Sequence, residues 1–142
     1  MKVLKIIALA SLCALTAVPA SAGGFDVSGS LFDGDYFGVG ARKTFELGGD
    51  ISQLTGGATF YFKDAWFAFD ADYHFVVNPA NPSRFYPLVG LELATDFDNA
   101  ELGANLGGGV DFMATRTLAA FAEAKFVVSD WDGFVVTAGV KF

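Results

Sequence analysis

The stretch Phe67-Ala68-Phe69-Asp70-Ala71-Asp72-Tyr73-His74-Phe75 governs the reading of the whole chain. Its odd positions Phe67, Phe69, Ala71, Tyr73 and Phe75 are apolar, and Asp70, Asp72 and His74 alternate with them. Successive side chains of a β-strand point to opposite faces, so strict alternation means a strand with one oily and one polar face. The same split returns downstream. Phe85, Pro87, Val89, Leu91 and Leu93 alternate with Tyr86, Gly90 and Glu92. Leu102, Ala104, Leu106, Val110 and Phe112 alternate with Asn105, Gly107, Gly109 and Asp111. Ala120, Ala122, Ala124, Phe126 and Val128 oppose Glu123 and Lys125. At the C-terminus, Phe134, Val136, Ala138, Val140 and Phe142 oppose Thr137, Gly139 and Lys141.

With the less regular segments included, the pattern predicts eight strands, over 24–32, 36–47, 54–62, 66–77, 84–94, 100–113, 117–128 and 133–142. Most are near the length at which a tilted strand crosses a bilayer. Asp33-Gly34-Asp35, Lys63-Asp64, Asp96-Phe97-Asp98 and Asp130-Trp131-Asp132 punctuate the chain at intervals of two strands. In an up-and-down meander alternate turns share an end, so these four acidic turns form one rim. The opposite turns are Gly48-Gly49-Asp50, the Pro-rich Asn78 to Ser83, and Ala114-Thr115-Arg116.

Residues 1–22 are read separately. Lys2 and Lys5 precede an apolar Ile6-to-Val18 run too short to span a bilayer, and Ala20-Ser21-Ala22 offers a peptidase site. This is the pattern of a cleaved secretory signal, leaving 23–142 as one domain. Cys13, the single cysteine, lies in that segment behind Leu12, which does not suit a lipoprotein site. Loss of two lysines moves the net charge from −7 to −9, so no basic surface is left for nucleic acid. Yet 53% of the chain is hydrophobic and it holds 16 Phe. Acidic and very apolar together fits a protein whose oily face meets lipid and whose charges point inward or to the ends.

The expected fold is therefore all-β: an eight-stranded antiparallel up-and-down transmembrane β-barrel. The rival is a soluble periplasmic β-sandwich binding module, whose apolar faces would pack inward. The polar face here is rich in Gly, Ser, Thr and Asn, which suits the narrow interior of an eight-stranded barrel. Aromatic residues also gather near strand ends. Tyr36, Phe37, Trp66, Phe67, Trp131 and Phe134 lie at the acidic rim, and Phe25, Phe45, Phe75, Phe85, Phe112 and Phe142 at the other, as two interfacial girdles. Pro87 inside a strand suggests a bulge. Lys43 falls on the lipid face, by snorkelling or by a register shift.

The C-terminal series Phe134, Val136, Ala138, Val140, Phe142 resembles the signal by which the barrel-assembly machinery recognises outer-membrane proteins. Gly103-Ala104-Asn105-Leu106-Gly107-Gly108-Gly109, with Phe121-Ala122-Glu123, is similar to small barrels of the outer-membrane protein A and opacity-protein type. The resemblance implies residence in the outer membrane of a Gram-negative-type bacterium, contact with its lipid and lipopolysaccharide, and both termini in the periplasm. Members of that group are structural proteins, adhesins, resistance factors or narrow pores, so the fold leaves the role open.

Phasing sends Asp26, Arg42, Glu46, Asp70, Asp72, His74, Glu92, Asn105, Asp111, Glu123, Lys125 and Lys141 into the barrel. Two readings follow. One is a salt-bridge network that fills the lumen of a structural, envelope-maintaining or surface-interacting barrel. The other is a narrow cation-preferring conduit gated by Arg42, Lys125 and Lys141. Asp70, Asp72 and His74 share a strand face and are weighed as metal ligands. The rim carboxylates Asp33, Asp35, Asp64, Asp96, Asp98, Asp130 and Asp132 are weighed as a divalent-cation site, although turn chemistry alone explains them. His74 has no serine nearby on its strand, and no phosphate loop or nucleophile elbow occurs. The sequence points to no enzyme and no cofactor.

Overall fold

A computed structural model describes residues 24–49, 51–113 and 118–142. Residues 1–22, expected to be an export signal, and the turn Ala114-Thr115-Arg116 lie outside the described residues. The chain forms β1 (Phe25–Phe32), β2 (Tyr36–Glu46), β3 (Ser52–Tyr61), β4 (Trp66–Phe75), β5 (Ser83–Thr95), β6 (Ala100–Met113), β7 (Ala119–Val128) and β8 (Gly133–Lys141). Each strand pairs antiparallel with its sequence neighbours, and β8 pairs with β1 to close the barrel. The seam runs from Asp26↔Lys141 to Phe32↔Val135. A closed single sheet replaces the two packed layers of a sandwich.

Closure fixes the two faces. Leu102, Leu106, Phe126 and Val128 on the outside are each about two-thirds exposed, and Phe85, Val89 and Leu91 more than half. The buried residues are largely polar: Asp26, Asp72 and His74 are fully enclosed, and Thr55 with them. This inverts the layout of a water-soluble domain and is what lipid contact requires. Among the described residues no helix is long and apolar enough to cross a membrane.

The turns are shaped by left-handed backbone. Asp33 and Gly34 (φ 50° and 76°) carry β1 into β2, and Asp64 and Ala65 (φ 62° and 45°) carry β3 into β4. Asp33 also stitches the seam. Its N–H donates to the Phe134 carbonyl at 2.8 Å, and its Oδ1 accepts the Phe134 N–H at 2.8 Å. At the other end Phe25 and Phe142 exchange backbone hydrogen bonds at 3.0 and 2.9 Å, and their rings lie 5.8 Å apart. The start of β1 and the end of β8 therefore sit opposite the acidic rim.

Three expectations need correction. Pro87 makes no bulge, because Pro87↔Gly108 belongs to an unbroken ladder. The β4–β5 ladder stops at His74↔Leu88, so Pro87 lies just past its end. Lys43 is not displaced by a register shift, because Phe25↔Lys43 and Lys43↔Gly56 continue regular ladders. It keeps its outward position yet is only 5% exposed, with its ammonium 5.8 Å from the Phe45 ring centroid. Tyr36 and Trp66 do not join a lipid girdle; they turn inward with Phe32 and Tyr61.

Small residues let the interior close. A Cβ on Gly90 would collide with the Ala71 carbonyl and the Asp72 backbone and carboxylate. Gly90→Val is expected to destabilise the barrel by about 1–3 kcal/mol, as overpacking does elsewhere. Urea unfolding in lipid vesicles measures it, with the exterior Ala71→Val as the near-neutral control.

Candidate functional site: a filled lumen beneath an acidic vestibule

The inward positions of all eight strands meet in a layered interior. At its centre is Glu123 on β7. Its carboxylate accepts Arg42 Nη1 at 2.7 and 2.8 Å, and the Tyr86 hydroxyl donates to it at 2.8 Å. Arg42 Nε reaches Asp26 at 3.1 and 3.2 Å, and its guanidinium lies 4.5 Å from the Phe121 ring centroid. One arginine thus ties β1, β2 and β7 together. Its fork geometry suits two carboxylates at once, which a lysine ammonium would not reproduce.

A second node is Lys125. Its ammonium lies 3.1 Å from Asp72, 3.4 Å from Asp70 and 3.5 Å from Glu92. Asn105 Nδ2 donates to Asp72 at 2.7 Å, bringing in β6. Towards the termini a third node joins Lys141 to Asp111 at 2.7 Å, with Arg84 3.7 Å from the same carboxylate. β3 enters through Thr55, whose hydroxyl donates to the Asp72 carbonyl at 3.2 Å. Buried charges are tolerable only when paired and hydrogen-bonded, and here each pair joins different strands.

The phasing brings together eleven of its twelve candidates: Asp26, Arg42, Asp70, Asp72, His74, Glu92, Asn105, Asp111, Glu123, Lys125 and Lys141. Glu46 is the exception. It ends β2 opposite Gln53, on the inward side, but lies exposed beyond the enclosed volume. Alternation gives a residue's face but not its height. Arg84 was missed, although its even position on β5 carries the same signal as Tyr86 and Glu92.

Asp70, Asp72 and His74 do not form a metal triad. Both aspartates turn to Lys125, and the His74 ring stacks on Tyr86 at 4.4 Å. His74 Nε2 meets Thr55 Oγ1 at 3.3 Å and Glu123 at 3.9 Å. Both contacts fall on one nitrogen, so the imidazole cannot relay a proton between them as a catalytic triad requires. The rim aspartates have separate uses. Asp33 holds β8, Asp35 lies 3.9 Å from Lys63, and Asp96 Oδ1 accepts the Asp98 and Asn99 N–H groups. Those donors hold the Asp96 carboxyl below its ordinary range. Asp64, Asp98, Asp130 and Asp132 are exposed. Among the described residues no three carboxylate or imidazole groups converge as metal ligands.

Above the ionic layer the lumen is closed by rings. Tyr61 stacks on Trp66 at 4.1 Å, and Phe32 meets Trp66 edge-on at 5.4 Å. Between this cluster and the Arg42 and Lys125 nodes remains a cavity of about 10 Å³, lined by Ser30, Thr59 and Tyr61 among others. That is room for about one water. Beside the ring cluster a vestibule of about 400 Å³ opens among the acidic turns and reaches down to Glu92 and Val127.

Removing one partner of an enclosed pair leaves the other charge stranded. Glu123→Ala is expected to cost about 3–5 kcal/mol. The Arg42→Ala, Glu123→Ala double variant should lose clearly less than the sum of the single variants. Denaturant titrations of the four proteins in one lipid measure both quantities.

No protein-family profile and no curated protein matches the sequence. Solved structures similar in fold include the following two. The N-terminal β-barrel domain of Pseudomonas aeruginosa OprF superposes with a TM-score of 0.72 at 16% identity, over 85% of this chain and 97% of that one. The Yersinia pestis outer membrane protein Ail, solved in a phospholipid bilayer nanodisc, gives a TM-score of 0.51 at 12% identity, over 84% and 99%. With the closed meander, the apolar exterior and the polar interior, these likenesses identify the chain by fold as a small eight-stranded β-barrel of the outer-membrane type.

Proposed function

We propose that this protein is a structural barrel of the bacterial outer membrane, anchored by its apolar exterior and presenting the acidic rim as its surface of interaction. The observation that carries this reading is the filled lumen: ion pairs linking opposite strands, capped by a cluster of rings. An ion crossing the barrel would have to break several short charged contacts and pass a space of about 10 Å³. The conduit gated by Arg42, Lys125 and Lys141 is therefore not favoured, because those cations are held by carboxylates from other strands.

In this reading residues 1–22 are the export signal. Phe134, Val136, Ala138, Val140 and Phe142 serve the assembly machinery, their alternation setting one exterior edge that ends on an exposed aromatic. The exterior contacts lipid, and with the termini on the periplasmic side the acidic rim faces lipopolysaccharide and the medium.

Heat-modifiability tests the reading. Unboiled protein from purified outer membranes is expected to migrate differently from boiled protein on a denaturing gel, and reconstituted protein to give no steady conductance. Recovery as a soluble periplasmic protein would refute the anchoring, and a reproducible cation-selective conductance would refute the filled lumen.

A further inference from the structure

The vestibule at the acidic rim is more than a gap between turns. It encloses about 400 Å³, within the size range of small-molecule sites. Its base and walls are aromatic: Phe32, Tyr36, Trp66 and Trp131, with Trp66 and Trp131 crossing edge to face at 6.2 Å. Around these rings stand the carboxylates of Asp33, Asp64, Asp96 and Glu101, with Glu92, already paired with Lys125, at the floor, and no Lys or Arg lines the space among the described residues. Ring faces carry negative potential, so rings and carboxylates attract the same kind of ligand.

At the edge of this space the protein already shows how it holds such a group. The Lys63 ammonium sits 4.5 Å from the Tyr36 ring centroid and 3.9 Å from Asp35. A cation between an aromatic face and a carboxylate is thus a contact this rim makes with its own chain. The interior offers the same partnership, with Arg42 over Phe121 and against Glu123.

We infer that the vestibule is a binding site for an organic cation, an alkylammonium or quaternary ammonium group attached to an apolar or flat body. A divalent metal fits less well. It requires several oxygens converging at about 2.0–2.6 Å, and among the described residues no such cluster forms. A weakly hydrated organic cation tolerates dispersed carboxylates and gains from ring faces. The turn donors Asp98 and Asn99 fix the position of the Asp96 carboxylate and so hold part of this negative field in place.

The site carries its own reporter, because Trp66 and Trp131 are the only two tryptophans in the chain and both line it. The full mature protein in lipid nanodiscs is titrated with benzyltrimethylammonium at constant ionic strength, following tryptophan fluorescence. A saturable change is expected below about 10 mM, with benzyl alcohol giving none. Asp64→Asn combined with Glu101→Gln should weaken binding about tenfold, as should Trp131→Leu, read through Trp66. Each variant is first checked for the heat-modifiable band. Asp64→Asn alone, at a left-handed position asparagine tolerates, is the fallback if the double variant does not fold. The inference is overturned by absence of saturation, by an equal response to benzyl alcohol, by unchanged affinity in the carboxylate variants, or by displacement at lower concentrations of MgCl2.

Discussion

A backbone N–H or carbonyl facing hydrocarbon has no water to turn to, and the rest of this structure depends on that constraint. It demands that the sheet close, and β1 with β8 supplies the closure through a regular ladder reinforced by Asp33 at one end and Phe142 at the other. Closing with eight strands then fixes a narrow interior. Glycine is required where backbones and long side chains crowd that space, as at Gly90 against Asp72 and Gly109 against Tyr86 and Glu123.

The narrow interior in turn dictates how charge is handled. Such a lumen cannot leave a carboxylate solvated by bulk water, so each acid must find a cation across the barrel. Arg42 and Lys125 do this from neighbouring levels, and the residues they hold come from β1, β4, β5 and β7. The pairs act as cross-braces between strands that are otherwise joined only edge to edge. Buried ion pairs add little net stability compared with apolar packing. Their value here is geometric, since their partners meet only in one register of the whole barrel.

The acidic rim shows how one residue type serves several ends. Asp33 and Asp96 are consumed largely by turn and seam hydrogen bonds, and Asp35 faces Lys63. Asp64 and Glu101 stand around the vestibule without comparable backbone duties among the described contacts, and this gives the aromatic recess its cationic preference. The aromatic residues divide in the same way. Phe37, Phe62 and Phe134 face outward, whereas Phe32, Tyr61 and Trp66 close the lumen.

By itself the sequence determined the strand count, the acidic rim and the face of nearly every side chain, because alternation is local and survives any tertiary arrangement. Inward Asp26, Asp72, Glu123 and Lys125 were legible for that reason. So in principle were Tyr36, Trp66 and Arg84, whose even positions carry the same signal. Only the tertiary structure decided height and partnership. Glu46 shares a face with Arg42 yet lies outside the enclosed layer, and Lys43 faces outward yet is covered. The pairing of Arg42 with Glu123, 81 residues away, depends on the stagger with which eight tilted strands close. Stagger is a property of the complete ring, and no single strand records it.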